Sequence, residues 1–241
     1  MTPADLLSRI LYRDAMMLII DKPSGLAVHA SGRNDEHLGQ YLDALAFGLP
    51  QPPELAHRLD RETSGCLVLG RHRQALKRLG GLFATRRVEK IYWAVVVGEP
   101  PTESGTIDRP LAKVDASTRH WRMKIDRGGQ PAVTDWRLLG RNGRLSWLEC
   151  RPQTGRTHQL RVHLASIGCP IVGDGIYGRG TADLVDDRLH LHARAVVLPL
   201  YPKKAPISVT APVPTQMRDA LAACGCDFDI ERQPEAALRS D

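Results

Sequence analysis

Apolar residues in this chain fall into short runs cut by glycine, proline and charged turns, a pattern of many strands and few helices. Met16-Met17-Leu18-Ile19-Ile20 reads as a strand ending at Asp21-Lys22-Pro23-Ser24-Gly25, where Pro23 fixes φ and Gly25 is free to take positive φ. Residues 26–29 resume an extended run. Over residues 35–47, Leu38, Tyr41, Leu42 and Leu45 repeat at i, i+3, i+4, i+7 and predict a helix, stopped by Gly48 and the Pro50, Pro52, Pro53 cluster. Cys66-Leu67-Val68-Leu69, bounded by Gly65 and Gly70, reads as a buried strand. A second helix is predicted over residues 72–85, with Leu76, Leu79, Leu82 and Phe83 on its apolar face and Gly80-Gly81 as its weak point. Residues 90–97 form the strongest strand signal, rich in β-branched and aromatic side chains. Ile91, Trp93, Val95 and Val97 share one face, Tyr92, Ala94 and Val96 the other, and either face fits a core.

Further along, residues 132–139 and 144–150 read as strands joined by Gly140-Arg141-Asn142-Gly143, whose Asn-Gly pair signals a hairpin. Residues 154–164 open a helix that Thr154 or Thr157 can cap, with Leu160, Leu164 and Ile167 on one side and Gly168 as its stop. A tight polar loop, Gly173-Asp174-Gly175-Ile176-Tyr177-Gly178, follows. A strand then starts at His190 and runs through Leu198, and a short helix is predicted over residues 213–224. Residues 227–241 hold five acids, two arginines and few apolar anchors, so a poorly ordered tail is expected there.

At 241 residues the chain can bury a sizeable core as one large domain or two lobes sharing a sheet. Its formal charge of +6, from 33 Lys plus Arg against 27 Asp plus Glu, is mildly basic and suits a polyanionic partner. That charge is concentrated. Residues 57–90 carry nine Lys or Arg and three acids, which fits either a solvated helix face or a surface that tracks phosphates. Residues 113–127 hold Lys113, Arg119, Arg122, Lys124 and Arg127 with Trp121 among them, and lack apolar periodicity. This reads as a mobile basic loop or loose hairpin suited to phosphate contact and base stacking. The five cysteines form no disulfide or zinc framework, the N-terminal residues lack a signal-peptide pattern, and no run is long enough to span a bilayer. A cytoplasmic protein with reduced thiols is expected.

The chemistry centres on His57-Arg58-Leu59-Asp60-Arg61-Glu62-Thr63-Ser64-Gly65, which sets one carboxylate, Asp60, on a turn just before a buried strand. Taken alone, an Asp between two arginines is ordinarily a structural ion pair. His190 and His192 share one strand face, but no cysteine or acid stands at ligand spacing, so no metal site is expected.

Three stretches taken in order resemble the RluA-type pseudouridine synthase family: residues 57–65, Lys90-Ile91-Tyr92-Trp93-Ala94, and Gly155-Arg156-Thr157-His158-Gln159-Leu160-Arg161-Val162-His163. Lys22-Pro23-Ser24-Gly25-Leu26, Gly129-Gln130-Pro131-Ala132-Val133-Thr134, Gly173-Asp174 with Tyr177, and Leu191-His192-Ala193 support them. The resemblance implies an α+β fold: a bent, mixed, mainly antiparallel sheet in two lobes, flanked by helices, with an RNA-binding cleft between. A 14–226 catalytic domain would follow a 1–13 lead and precede the 227–241 tail. The extra N-terminal RNA-binding domain of many relatives is not expected.

The implied reaction turns uridine in RNA into pseudouridine with no cofactor and no metal. The implied partner is structured RNA, ribosomal or transfer, and neither DNA nor a membrane; a monomer is expected. Carried over by position, Asp60 is the essential aspartate, acting as nucleophile or as base toward a ribose proton; Arg161 pairs with it; Tyr92 stacks on the target uracil and helps remove its C5 proton. Arg58 stands near the flipped nucleotide, and Leu160 and Leu191 wall the pocket. Arg119, Arg122 and Lys124 are candidate RNA contacts, as is the face spanning residues 71–87. Two other readings remain: a non-catalytic RNA-binding protein, which would tolerate loss of Asp60, and a glycosidase-like hydrolase, which needs a second acid such as Glu62.

Overall fold

Strand β4 (Ser64–Gly70) is buried at every residue, as its unbroken apolar run requires once both sheet faces are covered. In the computed structural model, which describes residues 1–30, 35–114, 122–178 and 188–228, β4 lies inside a ten-stranded sheet. On one side β2 (Met17–Lys22) pairs antiparallel with it, and β1 (Ile10–Arg13) pairs with β2. On the other side β11 (Leu191–Leu198) runs parallel to β4, then the antiparallel series continues through β5 (Glu89–Val97), β10 (Leu145–Pro152), β9 (Val133–Arg141) and β6 (Ser104–Asp108). Short strands β3 (Glu54–Leu55) and β12 (Ile207–Thr210) add to β4 and β11. A separate hairpin joins β7 (Leu111–Lys113) to β8 (Met123–Ile125). Helices α1 (Pro3–Leu7), α2 (Arg73–Ala84), α3 (Gln159–Ser166) and α4 (Thr215–Ala223) complete an α+β fold with a mixed, mainly antiparallel sheet.

Alternation along the strands builds cores on both faces of the sheet. In β2 and β4, Met17, Ile19, Cys66 and Val68 pack with Leu79 and Leu82 of α2, while Leu18, Ile20, Leu67 and Leu69 pack with Leu38 and Leu45. In β5, Ala94 and Val96 face Leu160 and Leu164 of α3, and Val95 faces Met217 and Leu221 of α4. Both faces of the residue 90–97 strand are therefore core.

The seam between the halves is the parallel β4–β11 contact, where Gly65 sits opposite Ala193. Gly65 has φ +105°, and a Cβ there would lie 2.3 Å from the Ala193 carbonyl oxygen. Only glycine meets both demands.

Three local expectations are corrected. Residues 38–45 form a 3₁₀ helix inside the 35–47 segment, with the left-handed Gly48 (φ +80°) closing the following turn; i, i+3 apolar spacing serves either helix type. Residues 26–29 make a single bridge, Ala27 to His37, rather than a strand. Neither Thr154 nor Thr157 caps α3: His158, at φ 53°, precedes its first residue without a side-chain cap. Thr154 Oγ instead donates to Gln159 Oε1 and accepts from the Val133 amide. Gly80 and Gly81 lie within a continuous α2. Arg119, Trp121 and residues 229–241 of the expected tail lie outside the described residues.

Candidate active site

The loop entering β4 is built before it is decorated. The Lys22-Pro23-Ser24-Gly25 turn lies beneath it, and Gly25, at φ +86°, donates its amide to the Arg61 carbonyl at 3.0 Å. Lys22 is fully buried and its Nζ reaches the carbonyls of Pro23, Leu26 and Arg61 at 2.7, 2.9 and 2.9 Å, one acceptor for each ammonium N–H. Burial pushes Lys22 down to about 7, while the Glu62, Asp60 and Asp21 carboxylates resist that shift. Ser24 Oγ donates to the Glu62 carbonyl, and the Thr63 amide closes a turn onto Asp60. The support that the 22–26 motif lends to the 57–65 motif is thus a set of direct hydrogen bonds.

Asp60 opens from this loop into a cleft of about 430 Å³ whose lining includes Arg58, Tyr92, His158, Leu160, Arg161 and Leu191. Asp60, Arg58, Tyr92, Leu160, Arg161 and Leu191, the six residues the resemblance names for chemistry or for the pocket wall, therefore meet at one place. Leu160 and Leu191 are buried and supply apolar wall, whereas Arg58 is exposed at the mouth. Tyr92 packs against the cores of both halves. Burial, and then the Asp60 carboxylate, push its phenol up, so it stands in the cleft as a protonated ring.

Arg161 does not make the direct ion pair with Asp60 that the family resemblance implies. Its Nε and Nη2 donate to the two oxygens of Asp174, both at 2.7 Å. Asp174 wins this edge because its carboxylate is already fixed, accepting from the amides of Ile176 and Tyr177 at 2.9 and 3.0 Å. Gly173 makes that loop possible, since at φ +73° a Cβ would meet the Arg188 carbonyl oxygen at 2.0 Å. Burial opposes the Arg161 charge, but Asp174, and Asp60 behind it, hold its pKa above the ordinary value. Burial likewise opposes the Asp174 charge, yet Arg161 and the two amides hold that carboxyl below the usual range. Asp60 feels Arg161 through space, in a field the Arg161–Asp174 pair holds fixed.

Sequence reasoning missed three members of this site. Asp174 was visible as part of a polar loop and of a stretch supporting the family resemblance, but was given no role. His158 precedes α3 in the left-handed region, Nδ1 2.9 Å from the Tyr177 hydroxyl; burial lowers its pKa and Asp60 opposes the shift. Gln159 is buried and holds the 154–157 turn, its Oε1 accepting from Thr154 Oγ and the Arg156 amide and its Nε2 donating to Val133 O and Thr134 Oγ. A polar residue at the start of a helix gives no sign of this in one sequence.

The basic hairpin stands against the same wall. The Met123 amide donates to the Tyr177 hydroxyl at 2.8 Å, and Leu111 and Met123 pack with Val162 of α3. Arg122, just before β8, and Lys124 on it are exposed, and Lys124 pairs with Asp126 at 2.8 Å. Arg61, beside Asp60, is turned away to Asp35 at 3.2 Å. His192 is likewise engaged, its Nδ1 2.9 Å from Ser64 Oγ.

Comparisons with known proteins find similar sequences and a similar fold. A family pattern described as RNA pseudouridylate synthase matches residues 16–166. An uncharacterised RNA pseudouridine synthase of Zymomonas mobilis is 43% identical over 215 residues, covering 89% of this chain and 97% of that one. Ribosomal large subunit pseudouridine synthase D of Xanthomonas campestris is 38% identical over 258 residues, covering 98% and 75%. The solved structure of human RNA pseudouridylate synthase domain containing 4 superposes with a TM-score of 0.77 at 29% identity, covering 93% of this chain and 96% of that one.

Proposed function

Since the chain belongs to the RNA pseudouridylate synthase family and is an RluA-type RNA pseudouridine synthase, we propose that Asp60 carries the reaction, on uridines of structured RNA. The observation that bears most weight is the placing of one cleft carboxylate, Asp60, among Tyr92, His158 and Arg161. The isomerisation breaks the N1–C1′ bond, turns the uracil and joins C5 to C1′, and the proton lost from C5 is balanced by one gained at N1. Whether Asp60 attacks the nucleotide or removes a ribose proton, it must act as a carboxylate, and Arg161 lines the same cleft. A uracil in folded RNA has to leave its stack to reach the carboxylate. Tyr92, Leu160 and Leu191 offer it a flat ring and apolar walls, and Arg58 at the mouth fills the place it leaves. As a neutral phenol, Tyr92 serves first as the stacking surface.

The name of the Xanthomonas relative favours large-subunit ribosomal RNA as the substrate, with transfer RNA as the second candidate. Pseudouridine mapping of total RNA from cells with and without the gene tests this. The expected result is loss of one or a few sites in large-subunit ribosomal RNA. An unchanged map would contradict it.

A further inference from the structure

The cleft is longer than one uracil needs. Beyond Asp60 and Tyr92 its lining continues over His57, Phe83, Arg86, Val88 and Lys90, and across to Arg156, none of which the proposed chemistry uses. His57 and Phe83 stack with centroids 4.6 Å apart and planes inclined by 26°. The His57 ring is fixed because its Nε2 accepts from the Val68 amide at 3.0 Å, and burial pushes its pKa down to about 4, so the pair is an uncharged aromatic surface. Cations surround it. Lys90 shares the β5 face of Tyr92 two residues away, and among the described residues its Nζ donates to one partner, the Thr154 carbonyl at 3.3 Å. Arg156 is tethered through Nε to the Pro131 carbonyl. Arg86 closes α2 in the left-handed region, at φ 56°, with its amide on the Phe83 carbonyl and the Arg87 amide on that of Leu82, and its exposed side chain makes no hydrogen bond among the described residues. Among the described residues no carboxylate lines this end of the cleft.

We propose that this outer half of the cleft is a second nucleotide subsite, which stacks the base of an unpaired nucleotide adjoining the target uridine on the His57–Phe83 pair and holds its phosphate on Lys90 and Arg86. An aromatic surface beside basic groups, with no base-edge donors converging on it, suits any base. Burial, with Arg86 second, pushes Lys90 down to about 8, so an arriving phosphate stabilises its charged form. The subsite rests on the RNA reading above and explains how a flipped strand is gripped on both sides of its neighbour.

A nine-nucleotide single-stranded oligouridine carrying one 2-aminopurine is the probe. Binding to the wild-type protein should quench the fluorescence. Phe83→Leu keeps an apolar side chain and should lose most of the quench and about fivefold in affinity. Lys90→Gln should lower the slope of log affinity against log salt by about one, and Lys90→Arg should restore it. No quench with the wild type, the same quench in Phe83→Leu, or an unchanged salt slope in Lys90→Gln would each overturn the proposal. Failure of the functional reading shows separately, as an unchanged pseudouridine map.

Discussion

Arg161 and Asp174 are buried together, so each is stable only while the other is charged and present. Asp174→Ala should cost about 3–5 kcal/mol in urea unfolding, because it leaves an uncompensated guanidinium in the interior. Arg161→Met combined with Asp174→Leu should recover much of that loss and still fail to form pseudouridine, separating the pair's contribution to stability from its field at Asp60. His192 makes a pH prediction. Burial pushes its pKa to about 4, below its ordinary value of 6.5, so the folded state binds fewer protons than the unfolded one across that window. Stability is complete above pH 6.5 and falls as pH drops toward 4. Melting temperature followed from pH 7 to 4.5 should decline, and His192→Gln should flatten the decline. At this scale one sequence shows which side chains can do chemistry but not which partner each chooses. Asp60 and Asp174 were equally available to Arg161, and two backbone amides decided between them.

The longer strands β2, β4, β5, β9, β10 and β11 were legible, because period-two burial and glycine or proline punctuation are local signals, while the short β1, β3, β6 and β12 were not read as strands. Other departures come from contacts distant in sequence. The first turn of α3 is set by Gln159 and by the Tyr177 contact of His158, and both bonds reach outside the helix. The 38–45 segment had the right apolar spacing for the wrong helix. How the 22–25 turn clamps the 57–65 loop was equally invisible, since Lys22 and Arg61 lie 39 positions apart. Lys22→Met would strand three carbonyls from one donor group, and should cost about 2 kcal/mol or more. It should also lower turnover by loosening the loop that carries Asp60, which unfolding and single-turnover rates together would detect. On the β7–β8 hairpin, replacing Arg122 and Lys124 by alanine should weaken RNA binding and flatten its salt dependence. The effect of Lys124 should be the smaller, because Asp126 already offsets it.

For the whole molecule, the parallel β4–β11 contact is where the two antiparallel halves meet, and the cleft opens beside it. The family's motifs are scattered over more than a hundred positions, yet residues from β5, α3, β11 and the loop before β4 line one cavity. Periodicity alone could not have assembled them, since long-range pairing of strands carries no local mark; the order of the motifs did. The glycosidase reading loses ground on the same cavity, because among the described residues Asp60 is the one carboxylate lining it and Glu62 is absent from the lining. What remains open to experiment is whether this carboxylate does the chemistry. Asp60→Asn keeps the size of the side chain and removes its charge, so the protein should fold, bind RNA with nearly unchanged affinity, and form no pseudouridine in RNA from cells lacking the gene. Full turnover by that variant would contradict the account.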